Sequence, residues 1–312
     1  MAGRRNTMNA STVPHKAAAG QKSKKRRLDH DPIGYALITP FYLFLFVFVL
    51  LPILMNIYLS FTNYDMNRMD FIGFKNYKVL LSDTFFWISL KNTVIYTFFT
   101  LFFTLVLGLV FAVLLNNKLI GLPFFRTGFF TPHVTSMVAV SMIWLWIYEP
   151  SRGIANTVLG FFHIQGKQWL YDANWAMVAL IIMGIWKFVG YNMVIYLAGL
   201  QGVPRDLYEV ASVDGANSLH KFFYITVPML KPITFFLLIT GLINNFNVFE
   251  QIKILTNGGP MNSTTTIVHQ IYNRAFGEFQ LGYSSAMATV LLAIIAVITI
   301  VNFKYGQGND ID

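Results

Sequence analysis

Long apolar runs separated by short polar connections set the pattern of this chain. They lie at about residues 34–61, 90–116, 126–149, 174–200, 232–254 and 282–304. Each approaches the ~20 residues a helix needs to cross ~30 Å of hydrocarbon. The pattern predicts an all-α membrane protein whose six transmembrane helices fill residues 33–306. Residues 1–32 have no apolar periodicity and are rich in Gly, Ser, Ala, Lys and Arg, which predicts a disordered basic tail; residues 307–312 form a short C-terminal end.

One polar stretch, 209–228, interrupts this rhythm between the fourth and fifth runs. It reads as two short helices meeting at Asp214-Gly215, with Gly215 supplying a permissive corner and Asp214 capping the second helix. Pro228 and Pro232 then restart the chain toward the next span. Residues 150–173 predict a surface or re-entrant helix, and the loop after Leu255 turns sharply at Gly258-Gly259-Pro260.

Composition agrees with the membrane reading. Of 312 residues 55% are hydrophobic, 16% aromatic and 12% charged. A soluble chain would carry about twice that charged fraction. Cysteine is absent, which excludes disulfides, thiolate metal sites and cysteine nucleophiles. The net charge of +9 is concentrated at the start of the chain, in Arg4, Arg5, Lys16, Lys22 and the run Lys24-Lys25-Arg26-Arg27. Lys and Arg are also more frequent in the tail and in 117–126, 201–231 and 305–312 with Lys304 than in the alternate connections. By the positive-inside rule both ends and the 209–228 stretch face the cytoplasm of a multi-pass inner-membrane protein.

No catalytic machinery is visible: phosphate-loop, zinc-protease and serine-hydrolase motifs are missing, and His133, His163, His220 and His269 are scattered. Energy for any transport must come from a partner or an ion gradient. Polar side chains inside a span are costly and tend to face a cavity. The fourth run holds Lys187, Tyr191, Asn192 and Tyr196; the fifth holds Asn244, Asn245, Asn247 and Glu250. Amides beside aromatics suit sugar hydroxyls, which need hydrogen-bond partners and a flat apolar face. Interhelical hydrogen bonding explains the same asparagines, and Lys187 and Glu250 either meet a substrate or pair with each other.

Glu209, Ala211, Asp214, Gly215, Ala216, Phe222, Ile225 and Pro228 resemble the "EAA" loop of the permease subunits of binding-protein-dependent ABC importers, although Val210 replaces the usual second alanine. The resemblance implies that this loop docks in a cleft of a cytoplasmic ATPase, which binds ATP-Mg in place of any cofactor on this chain. Glu209 would then offer its charge to a basic residue of that ATPase, and Leu219, Phe222 and Phe223 would anchor the helix. Ser60-Phe61, Gly73, Asn76-Tyr77, Ala198-Gly199-Leu200, Leu207-Tyr208-Glu209 and Leu255-Thr256 with Gly258-Gly259-Pro260 resemble the carbohydrate branch of this family, which includes the larger maltose permease subunit. That subunit has extra leading helices and a large outer domain, whereas only residues 62–89 separate the first two runs here.

The resemblance implies a sugar or oligosaccharide importer with a second permease subunit, an ATPase dimer and an external solute-binding protein as partners. It matches Tyr191 and Asn245 to sugar-site positions of the maltose-type subunit; Lys187, Asn244, Val248 and Glu250 fall on such positions but differ in type. That leaves a charged solute, such as glycerol phosphate or a uronic-acid oligosaccharide, as the alternative substrate class. An ion-coupled secondary transporter is a further alternative, for which the sequence offers one candidate charge pair and no repeat.

Overall fold

The computed structural model describes residues 32–116 and 121–306, in which α-helix and π-helical turns carry the regular structure. The expected basic tail up to residue 31, part of the 117–126 connection and the 307–312 end lie outside the described residues. The chain divides into two compact units, Met1–Leu51 and Pro52–Asp312. In the first, Pro32–Leu45 is helical and Phe46–Leu50 takes a π-helical turn, the opening of a candidate span, α1 (Gly34–Leu59).

The second unit continues with α2 (Lys75–Ser82), α3 (Thr84–Leu115), α4 (Leu122–Val134), α5 (Met137–Ile147), α6 (Ile154–Phe161) and α7 (Ala173–Gln201). Then come α8 (Arg205–Val213), α9 (Ser218–Lys221), α10 (Lys231–Phe246), α11 (Glu250–Leu255), α12 (Ile267–Tyr272) and α13 (Leu281–Gly306). Among the described residues five helices, counting α10 with α11 as one, are long and apolar enough to cross a membrane, and α4 with α5 forms a sixth candidate bent by 102°.

That bend departs from the expected single segment at 126–149. Pro132 removes one main-chain donor inside α4, and Thr135 and Ser136 then adopt extended ψ angles of 143° and 136°. The two sides of the break are together apolar enough for one span; the backbone is not continuous. The second span also begins earlier than expected. Asp83 caps α3 by accepting from Phe85 N at 2.8 Å, so the helix starts at Thr84 rather than near residue 90. The surface helix expected within 150–173 is α6.

α3 is turned inside out relative to a soluble helix. Thr93, Tyr96, Thr97, Thr100, Thr104 and Gly108, three and four residues apart, are buried, whereas Phe98, Phe99, Phe102 and Phe103 are exposed. Lipid is as apolar as a protein core, so small and polar residues gather where helices meet. The partner is α7, which packs along α3 and also against α4. At Gly190 the α4 backbone comes so close that a Cβ would lie 1.7 Å from Phe129 O. α3 also holds the connection before α12: Asn92 Nδ2 donates to Asn262 O and Thr265 O, both at 3.0 Å, and Thr93 Oγ1 accepts from Ile267 N at 2.9 Å.

Candidate functional site

Two adjoining cavities lie among α3, α4, α7 and α10. The first, about 190 Å³, is lined by Thr104, His133, Phe188, Tyr191, Asn192, Thr240, Asn244 and Asn245 together with Leu101, Leu237 and Gly241. The second, about 300 Å³, shares Phe188, Asn244 and Asn245 and extends to Tyr96, Met137, Asn247, Val248, Phe249, Glu250 and Gln251. Of the expected pathway residues, Tyr191, Asn192, Asn244 and Asn245 line the first cavity, and Asn244, Asn245 and Glu250 line the second. Tyr196 does not join them; it is buried elsewhere and donates to Thr234 Oγ1 at 3.1 Å.

Lys187 lines neither cavity. Its side chain is 4% exposed, and Nζ donates to Thr135 O at 2.7 Å, Pro132 O at 2.9 Å and His133 O at 3.4 Å. These are carbonyls left open where α4 ends at the bend. The ammonium of one span thus closes the broken end of another. The ion pairs among the described residues both belong to Arg274, with Asp83 and Glu278, so Lys187 and Glu250 do not form one.

The fifth span is also interrupted. α10 ends at Phe246, and α11 begins at Glu250, so Asn244, Asn247 and Glu250 reach the second cavity across a break rather than along one continuous stripe. Asn245 Nδ2 donates to Gly241 O and Asn247 Nδ2 to Ile243 O, each at 2.8 Å, and Thr266 Oγ1 donates to Val248 O at 3.0 Å. Sequence reasoning missed Thr104, Phe188, Thr240 and Gln251. It had no signal for Thr104 or Thr240, ordinary residues in helices. His133 was seen but set aside as isolated; in the structure it stacks on Tyr191, ring centroids 4.6 Å apart.

At the other candidate region, α8 and α9 meet at a corner where Gly215 has φ +80°. Ala216 N donates to Ala211 O at 2.8 Å and Gly215 N to Ser212 O at 3.2 Å, closing α8. Asp214 is the C-terminal cap residue of α8 and does not cap the second helix, which corrects the expectation. The turn Gly215-Ala216 separates it from α9, and Asn217 does the capping, its Oδ1 accepting from His220 N at 2.8 Å. α9 runs on through a π-helical turn, Phe222–Thr226, into Val227–Met229, which contains Pro228. Lys221 Nζ donates to Ser212 Oγ at 2.6 Å and Tyr208 pairs with Thr226 at 2.9 Å, tying the two helices together. Glu209, Asp214, Leu219 and Pro228 are exposed, as are Val213, Phe223 and Tyr224; Ala211 and Phe222 are half-buried. The corner is thus exposed, partly apolar and internally braced.

Among the described residues no cluster of metal-ligating side chains is present. The arrangement places polar side chains around two adjoining cavities and leaves an exposed corner at α8–α9.

The arabinooligosaccharide transport system permease protein of Halalkalibacterium halodurans is 35% identical over 86% of this chain and 85% of its own length. The sn-glycerol-3-phosphate transport system permease protein of Agrobacterium fabrum is 32% identical over 88% and 94%. In fold, the chain superimposes on a chain of the crystal structure of a bacterial ABC transporter that imports the acidic polysaccharide alginate. The TM-score is 0.79 at 24% identity, over 90% of this chain and 96% of that one. The family model of the binding-protein-dependent transport system inner membrane component matches residues 104–306. This chain belongs to that family, the multi-pass permease subunits of ABC importers, which are not themselves enzymes.

Proposed function

We propose that this chain forms half of the translocation pathway of an ATP-driven importer of a sugar or oligosaccharide. In this reading a second permease subunit supplies the other half, and a solute-binding protein delivers the substrate. The cavity pair around Tyr191, Asn192, Asn244 and Asn245 carries the proposal. Its amides, hydroxyls and aromatic faces are what sugar hydroxyls and ring faces require. The arabinooligosaccharide permease relative supports the substrate class. Membership of an ABC family supports ATP rather than an ion gradient as the energy source.

Both termini and the α8–α9 corner face the cytoplasm in this reading. The corner enters a cleft of an ATPase dimer, which binds ATP-Mg. Glu209, held clear of any ion pair among the described residues, meets a basic side chain there, while Leu219 and Phe222 fill apolar space. ATPase closure then favours one of two packings of the spans by differential contact.

The test is uptake by the assembled importer in vesicles. Tyr191→Ala with Asn245→Ala should reduce sugar uptake at least about tenfold, the scale of a 1.4 kcal/mol loss, while basal ATP hydrolysis persists. Gly215→Pro should instead lower copurification of the ATPase. Unchanged uptake and unchanged assembly would refute the reading.

A further inference from the structure

Several hydrogen-bond donors along the passage are committed to the protein, while the Asn192 and Asn244 amides and the Tyr191 hydroxyl have no partner among the described residues and stay free for substrate. Thr104 Oγ1 gives its proton to Leu101 O at 3.1 Å, and Thr240 Oγ1 gives its proton to Phe236 O at 2.8 Å. Asn245 and Asn247 each turn the NH₂ toward a main-chain carbonyl, at 2.8 Å in both cases. Because a carbonyl can only accept, the NH₂ assignment at these two amides is fixed by chemistry. What remains unspent on all four side chains is chiefly oxygen lone pairs. Glu250 adds a carboxylate to the second cavity, and no Lys or Arg lines either one. Lys187, a cation within the spans, has its three donors directed at three backbone carbonyls and is 4% exposed.

We infer that this chain's half of the passage selects against anionic substrates and takes neutral, hydroxyl-rich saccharides, with Glu250 as the residue that sets the charge preference. Sugar hydroxyls donate to the free oxygens of Thr104, Thr240, Asn245 and Asn247. A carboxylate or phosphate on the substrate can accept from the Asn192 and Asn244 amides but also faces the Glu250 carboxylate, with no Lys or Arg among the lining residues to offset that charge. Lys187 acts as a positioning residue: it holds the α4 end that carries His133, and His133 stacks on Tyr191 at the cavity wall.

This inference rests on the cavity being the substrate passage, and the experiment separates the two. Equilibrium binding of radiolabelled galactotriose and trigalacturonate is measured on the purified assembled importer in nanodiscs, with the binding protein omitted. Galactotriose is expected to bind at least about tenfold more tightly, since a like-charge encounter in a desolvated site costs on the order of 1.4 kcal/mol or more. Glu250→Gln should narrow that gap by strengthening trigalacturonate binding alone. Lys187→Gln should weaken both sugars by the same factor, and Lys187→Arg should restore both. Equal or tighter binding of trigalacturonate in the wild type would overturn the inference, as would a Lys187→Gln loss confined to trigalacturonate, which would put the ammonium on the substrate. If Tyr191→Ala with Asn245→Ala left binding of both sugars unchanged, the passage itself would be misplaced and the inference would fall with it.

Discussion

Two broken spans flank the same cavities, and they satisfy their open backbone groups in opposite ways. At Thr135-Ser136 the bend frees carbonyls that an ammonium from α7 collects. At Asn247–Phe249 the break is closed by neutral side chains, the Asn247 amide on Ile243 O in the last turn of α10 and the Thr266 hydroxyl on Val248 O. Unpaired main-chain groups in hydrocarbon cost several kcal/mol each, so every break needs a closure. The choice of closure decides what the cavity receives. A lysine closure spends a charge and leaves a sealed wall; an amide closure spends donors and leaves acceptors facing the passage.

The sharpest way to break this contrast is Lys187→Met, which keeps the bulk of the side chain and removes its donors. Thr135 O and Pro132 O would lose their partner, at roughly 1–3 kcal/mol for each buried acceptor left unsatisfied. The expected result is a large fall in the thermal midpoint of the purified protein in detergent. A midpoint equal to the wild type would mean that another donor closes the bend.

Next in expected size is Gly190→Ala. The added Cβ would fall 1.7 Å from Phe129 O, one turn before Pro132, so α4 and α7 must separate. Overpacking of this kind costs typically 1–3 kcal/mol. The separation also draws Lys187 away from its carbonyls. If the two substitutions are combined, the loss should be less than the sum of the single losses, because both act on one closure. Full additivity in a double-mutant cycle would show that the packing and the ammonium are independent.

Much of this was legible in the chain. The apolar runs located the spans, because hydrocarbon thickness fixes their length. The intramembrane amides pointed to the cavities, because polar groups there are expensive. Legibility failed where backbone geometry decides the outcome. Pro132 stands in the chain, but a window of hydropathy averages across it and 126–149 reads as one segment; nothing in the side-chain pattern says that Lys187 will meet main-chain carbonyls rather than Glu250. Asp214 and Asn217 are both capping types only a few positions apart; the Gly215-Ala216 turn chose between them. Thr104 and Thr240 gave no signal, since a threonine on a membrane helix commonly donates to its own helix whether or not it faces a cavity.

A milder probe uses pH at the connection that follows α11. His269 lies outside the spans, buried against the end of α11, with Nε2 donating to Asn257 Oδ1 at 3.4 Å. Burial, helped by the Lys253 charge, lowers its pKa from 6.5 to about 4. The unfolded chain therefore binds a proton that the folded chain refuses between these values. Stability is fully present above about pH 6.5 and is lost as pH falls toward 4. His269→Gln should flatten that limb of the stability profile. An unchanged acid limb would assign it to other groups.

Thr266→Val should have the smallest effect and tests the contrast most directly. It removes the hydroxyl that donates to Val248 O at 3.0 Å while preserving shape. A neutral hydrogen bond contributes about 1 kcal/mol net. If local amides carry this break as argued, the midpoint should fall by only a few degrees, as expected for ~1 kcal/mol in a chain of this size. Sugar binding should hold, because Asn245 and Asn247 keep their own carbonyl partners and their free oxygens. A loss as large as that of Lys187→Met would instead make Thr266 a single closure on which the break depends, and the two breaks would then differ in the chemistry of the donor but not in how many donors share the task.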